Sequence, residues 1–255
     1  MLARHFVARG AASSAPPLGT DPFAGHKSGL VLYGPPTSRV TKVMWAAAEV
    51  GQSWESVASM WPERRSGWYL ALNPKGTVPT LRDGALVINE SNSAVAYLLQ
   101  KYQGGAAETG GQGQLLYPSD PAELALAWQW AEWGETTLAP SQNPVFFPLV
   151  RKSYAPAAKK AGCPGPDEIE ASVPRLAEAW RTLDNHLAAG GPYILGARFS
   201  LADFTAAVQA NRLVRHNGFG FAALEPSVAF PAVLKWYNTV ASRPAFAQHV
   251  LDRFK

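Results

Sequence analysis

The chain is poor in cysteine. Cys163 is the only one among 255 residues, which excludes an internal disulfide framework and a Cys-x-x-Cys redox pair. Charge is scarce too, at 16% of residues against 47% hydrophobic. A chain with that much apolar surface to bury is not disordered over most of its length. The 23 basic and 19 acidic residues leave a net charge of +4, too small an excess to mark a nucleic-acid surface. No apolar run approaches the ~20 residues of a membrane span. Gly-x-Gly-x-x-Gly, phosphate-loop, Gly-x-Ser-x-Gly and His-Glu-x-x-His motifs are all missing. The histidines (His5, His26, His186, His216 and His249) lack ligand spacing, so no metal site is expected.

What is present divides unevenly. Residues 1–27 carry Arg4, Arg9 and Lys27 against Asp21 alone, a charge of +2, half of the total. With their alanines and serines they read as a disordered extension. Their composition is that of an organelle transit peptide, an untargeted tail being the alternative. The expected location is therefore intracellular: cytoplasmic, or mitochondrial or plastid if the extension targets. Leu30–Tyr33 reads as a buried strand closed by Gly34-Pro35-Pro36. Ser38 to Gly51 has helical spacing, and Gly51 suits its end. Trp54–Ala58 reads as a strand, and Ser66–Leu72 as a short helix ended by Asn73-Pro74. Val78–Arg82 and Ala85–Ile88 flank Asp83-Gly84, a two-residue hairpin signal. A helix opens at Glu90-Ser91 and ends near Tyr102.

The order β-α-β-α-β-β-α over residues 28–103 predicts a small mixed sheet with helices on its faces. Residues 104–119 are a glycine-rich linker. Residues 120–255 read as all-helical. Their helices cover Glu123–Leu138, Val145–Tyr154 after Asn143-Pro144, Asp167–Ala189, Leu201–Arg215 and Pro231–Ser242. The fold class is thus α/β followed by all-α.

Four segments are candidates for chemistry. Thr37 and Ser38 sit where a strand ends and a helix begins. Ser38 is a good N-cap. Alternatively, either hydroxyl points into the cleft at the strand's carboxyl end and donates to a bound thiolate, lowering that thiol's pKa. Thr77-Val78-Pro79-Thr80 places a proline in a strand run. A cis bond there would offer the Val78 backbone to an extended peptide ligand. Glu90-Ser91 is either ordinary capping or a head-group site, with Glu90 for an α-ammonium and Ser91 with the helix N–H groups for an α-carboxylate. Ser200 and Asp203 approximate a capping box, with Phe199 and Phe204 as its staple. That last motif is structural.

In this order, LYGPPTSRVTKVMW, NPKGTVPTL, INES and FSLADF resemble the cytosolic-type glutathione S-transferase family over Gly29 to Lys255. The resemblance implies a thioredoxin-like domain that binds glutathione as co-substrate, followed by a helical domain that supplies the pocket for a small apolar electrophile. It matches Ser38, with Thr37 adjacent, to the hydroxyl of the serine-type members. It implies glutathione binding by Arg39, Lys75, Val78, Pro79, Glu90 and Ser91. The second pocket should be lined by Trp130, Trp133, Thr137, Phe146 and Phe147, for each of which plain core packing is the alternative. A homodimer, a detoxification role and no metal are also implied. Competing functions are a non-catalytic binding or assembly module, or an isomerase or ether-cleaving enzyme on the same site.

Overall fold

The computed structural model describes residues 21, 29–57, 63–103, 117–154 and 164–251, with the side chains of 149–154 left out of the description. The extension apart from Asp21, most of the 104–119 linker, Cys163 and much of the 155–166 break lie outside the described residues.

Strand β1 (Leu30–Tyr33) is the keel of the first half. All four of its residues are buried, as expected for a central strand covered on both faces. Leu30 and Leu32 face the main core, while Val31 and Tyr33 pack with Tyr69 on the opposite face. Helix α1 (Val40–Glu49) leads to β2 (Trp54–Val57), parallel to β1. A short helix, α2 (Gly67–Leu72), follows, capped by the Ser66 hydroxyl. Then come β3 (Thr80–Asp83), antiparallel to β1, and β4 (Leu86–Ile88), antiparallel to β3. The sheet order is β2-β1-β3-β4. Helix α3 (Ser91–Tyr102) returns across the core face, burying Ala94, Val95, Leu98 and Leu99 as its spacing required.

The hairpin turn is one residue later than Asp83-Gly84. Asp83 pairs with Leu86, so Gly84 and Ala85 form the turn. Gly84 has φ +58, the sign a II′ turn needs at its first central residue. Asp83 is held in the strand from the side as well. Its Oδ2 accepts from Tyr97 Oη, Lys101 Nζ and Tyr102 Oη at 2.7–2.8 Å.

The second half is helical. Helix α4 (Pro121–Trp133) runs through a π-helical turn at Gly134–Leu138 into α5 (Ala139–Tyr154). The break expected at Asn143-Pro144 does not occur, and Pro144 and Pro148 lie inside α5. An interior proline costs a helix about 3 kcal/mol. Here the buried Val145, Phe146 and Pro148, on a helix packed along α6 (Pro166–Ala188), outweigh it. Helix α7 (Leu201–Arg215) is buried along most of its length. Short helices α8 (Pro226–Ala229) and α10 (Pro244–Phe246) flank α9 (Pro231–Ala241). The chain therefore has a thioredoxin-like sheet domain followed by a helical one. Among the described residues, no helix is long and apolar enough to cross a membrane.

Asp203 ties the helical half together. With Ser200 it forms the capping box that opens α7. Its Oδ2 accepts from the Ser200 N–H, and its Oδ1 accepts from the Ile194 N–H and Trp236 Nε1. Burial pushes its carboxyl up to about 6, against the pull of these donors. Phe199 and Phe204, on either side of it in sequence, pack at a tilt 5.1 Å apart, both against Trp45 of α1. Asp203→Ala strands three buried donors. It should cost at least about 3 kcal/mol and lower the thermal midpoint by roughly 6–12 °C, read by circular dichroism.

Candidate functional site

The site begins where β1 ends. Gly34 has φ +140, and a Cβ there would meet Val78 Cβ at 3.1 Å and Ser38 Oγ at 3.4 Å. Glycine thus lets the loop after β1 fold against the Val78 segment, with Ser38 and Val78 crowding the same point. The loop is braced from within. Ser38 donates to the Pro35 carbonyl through both its N–H (2.9 Å) and its Oγ–H (2.7 Å). The Thr41 hydroxyl donates to the Pro36 carbonyl. Thr37 is exposed. Ser38 is not the N-cap expected from the sequence. The turn it closes onto Pro35 places Arg39 at that position, although Ser38 Oγ still accepts from the Val40 N–H at 3.2 Å.

The opposite wall is the segment before β3. The Val78–Pro79 peptide bond is cis. Tyr69 Oη and Asn73 Nδ2 both donate to the Thr77 carbonyl, at 2.6 and 2.8 Å. Asn89 Nδ2 donates to the Leu72 carbonyl at 2.9 Å. Tyr69 and Asn73 are fully buried. Neither was picked out as a site residue, because in sequence they read as helix filling and helix end. The third wall is the start of α3, where Ser91 and Asn92 are buried and Glu90 is the N-cap residue. The Glu90 carboxylate pairs with the Lys75 ammonium, both exposed.

These walls enclose a cleft of about 380 Å³. Arg39, Lys75, Val78, Pro79, Glu90 and Ser91 all line it. Ser38 and Thr37 sit in the adjoining loop and are not part of that lining. Two carboxylates from the helical half, Glu132 and Glu135, also face the cleft, and sequence reading missed both.

Glu135 belongs to a buried polar network. Lys42 of α1 is 2% exposed. Its ammonium donates to Asn92 Oδ1, to Glu135 Oε1 at 2.7 Å and to Thr205 Oγ1 at 3.0 Å. Asn92 Nδ2 donates in turn to the Ala131 carbonyl and to Glu132 Oε1. The other Glu135 oxygen faces Arg39 Nη2 at 3.2 Å. Burial pushes the Lys42 ammonium down, and Glu135 opposes it. Burial would also raise the Glu135 carboxyl, but Lys42 and Arg39 outweigh it and hold the group below the usual glutamate range. The π-helical turn gives Glu135 this reach. A Cβ at Gly134 would come within 2.7 Å of Thr205 Cγ2, so glycine sets how closely the turn meets α7.

Four of the five residues expected to line a second pocket fall into two groups. Trp130 and Trp133 meet edge-on at 5.1 Å, and Trp130 packs on His186 of α6. Phe146 packs with Phe147, His216 and Phe219. Among the described residues no ring contact joins the groups. Thr137 is half-buried, and its carbonyl accepts from Ser141 Oγ at 2.7 Å. No described group of His, Cys, Asp or Glu side chains is placed to hold a metal ion.

The Glu135 carboxylate contributes stability above the ordinary glutamate range, and that contribution is lost as pH falls through its lowered folded value. Glu135→Gln leaves Lys42 buried without its counter-charge. The variant should lose about 3 kcal/mol or more in denaturant titration at neutral pH. Adding Lys42→Met should recover most of that loss.

Both halves match known proteins. A profile described as glutathione S-transferase, N-terminal domain, matches residues 32–106, and one described as glutathione S-transferase, C-terminal domain, matches 166–239. The chain is 31% identical to glutathione S-transferase D6 of Drosophila melanogaster, over 81% of this chain and 83% of that protein. It is 30% identical to glutathione S-transferase 3 of Zea mays, over 87% and 93%. Among solved structures it superposes on the theta class glutathione S-transferase of Xanthomonas axonopodis pv. citri with glutathione bound. The TM-score is 0.72 at 30% identity, covering 88% of this chain and 98% of that one. The strand-loop-helix site, the segment before β3 and the capping box of α7 all lie within these matches, and the chain belongs to the glutathione S-transferase family.

Proposed function

We propose that the protein is a glutathione transferase that binds glutathione in the cleft and activates its thiol at Ser38. The observation that carries this is the convergence of six residues, singled out from the sequence, on one cleft beside the loop that holds Ser38. In this reading Glu90 takes the γ-glutamyl ammonium. Ser91 and the first N–H groups of α3 take its carboxylate. The Val78 backbone pairs with the cysteinyl unit, Lys75 takes the glycine carboxylate, and Arg39 adds positive potential. The Lys75–Glu90 ion pair must open to admit the ligand. Both side chains are exposed, and such pairs are worth only about 0–1 kcal/mol.

Ser38 Oγ–H donates to the neutral Pro35 carbonyl. A thiolate is a stronger acceptor, because hydrogen bonds to ions are roughly twice as strong as neutral ones. Rotating the hydroxyl onto sulfur leaves its oxygen able to accept from the Val40 N–H. The donated bond favours the thiolate, so more nucleophile is present at neutral pH. The sulfur then attacks the electrophilic carbon, forming the S–C bond as the leaving group departs. The domain division at 104–119, the helical-half pocket for an apolar electrophile and a homodimer belong to the same reading.

Ser38→Ala should remove about 1.5–3 kcal/mol of thiolate stabilisation, a fall of roughly 10- to 100-fold in kcat/KM. Its pH–rate profile should move upward, while the glutathione dissociation constant changes little. An unchanged rate at every pH removes Ser38 from this role, and Thr37→Ala then tests the neighbouring hydroxyl.

A further inference from the structure

Arg212 of α7 is a half-buried arginine that has no carboxylate partner among the described residues. Its guanidinium lies over the Phe146 ring, with Cζ 4.5 Å from the centroid. Among the described residues its one hydrogen bond runs from Nη1 to the neutral Gln209 Oε1, at 2.9 Å. That oxygen also accepts from Gln142 Nε2 at 2.8 Å. A guanidinium has five N–H donors in a rigid fork, so most of this one is uncommitted.

The same chain treats a comparable arginine differently. Arg243 lies 3.9 Å over the Phe199 ring, and Glu49 takes it bidentately at 2.9 and 2.7 Å. Buried charges are ordinarily paired, and Arg243 follows that rule. Glu135 is the carboxylate whose field reaches Arg212. Among the described residues it forms no ion pair with Arg212; its two oxygens face Lys42 and Arg39. Arg39, Lys42 and Arg212 thus all act on Glu135, with Glu132 acting on Lys42, three cations against two carboxylates. His216 adds none at neutral pH, since burial, Arg215 and Arg212 push its imidazole down. Burial and Arg39 likewise push Arg212 down, to about 10, still charged at neutral pH.

Asn217, Gly218, Phe219 and Gly220 all have positive φ. The buried Phe219 stacks on His216 and packs edge-on to Phe146. The buried Phe146 and Phe219 rings and the Arg212 fork are thereby set side by side, within electrostatic reach of Arg39 and Glu135 in the cleft wall.

We propose that Arg212 determines second-substrate specificity by taking an anionic group, a carboxylate or similar oxyanion, on an aromatic electrophile whose ring lies by Phe146. This rests on the glutathione transferase reading above and adds the substrate class. For an aryl chloride, the glutathione sulfur forms the new C–S bond, the C–Cl bond breaks and chloride leaves. The thiol proton passes to solvent. Arg212 touches only the remote carboxylate.

The test uses the full chain with glutathione and two electrophiles, 4-chloro-3-nitrobenzoate and its methyl ester. The quantity read is the ratio of their kcat/KM values. Arg212→Gln should lower that ratio at least tenfold, and Arg212→Lys should restore part of it. Thermal melts of each variant check folding. An unchanged ratio in Arg212→Gln, whether both rates fall together or neither does, overturns the proposal. Binding of unreactive 3-nitrobenzoate and its methyl ester, measured by calorimetry, gives a second reading that needs no turnover. Loss of the carboxylate preference in Arg212→Gln supports the proposal, and no preference in the wild type overturns it. Failure of the transferase reading is distinct, since neither electrophile would then form a glutathione conjugate.

Discussion

One buried ammonium group sets the geometry of the whole site. Lys42 leaves α1 into the region where the sheet domain meets the helical domain. A charge there is costly unless it is paired and hydrogen-bonded. Its acceptors come from three places: Asn92 at the start of α3, Glu135 in the π-helical turn and Thr205 on α7. Satisfying the ammonium fixes α1, α3 and α7 against one another. It also explains two features that look like defects in isolation. The π-helical turn carries Glu135 to the ammonium, and Gly134 allows that turn to press on Thr205. The cleft inherits the result, because Asn92 and Glu135 form part of its wall.

The chemistry is divided along the same line. The sheet domain supplies the loop hydroxyl, the Val78 backbone and the N-terminus of α3, all suited to a small peptide with charged ends. The helical domain supplies carboxylates that hold Arg39 and Lys42 in place, and beyond them the Phe146–Arg212 stack. Tyr69 and Asn73 work from behind the cleft, gripping the Thr77 carbonyl so that Val78 and Pro79 are presented from a rigid segment. The reactive sulfur arrives with the ligand, in keeping with a chain that holds a single cysteine.

Much of this was legible in the sequence where the signal is local. The β1 run, the α3 stripe and the Ser200–Asp203 box are written in consecutive residues. The six cleft residues come from short motifs whose meaning the family resemblance supplied. The network around Lys42 was not legible. Its bonds join residues 50, 93 and 163 positions apart, and a lysine inside an amphipathic pattern reads as solvent-facing. Pro144 reads as a break because local propensity ignores the burial of Val145 and Phe146 that overrides it. The hairpin moved by one residue because Asp83 has three side-chain donors from α3, which no turn rule contains. Arg212 carried no signal either. Only the positions of Glu135 and Gln209 show that it has no carboxylate partner among the described residues.

The central claim is that glutathione occupies the cleft between the β1 loop, Val78–Pro79 and the start of α3. Hydrogen exchange of the full chain, with and without saturating glutathione, tests it most directly. The account expects slowed exchange in the peptides containing Val78 and Ser91–Asn92, and little change along α6 and α9. Glutathione binding with no protection at Val78 and Ser91, or no binding at all, would contradict it.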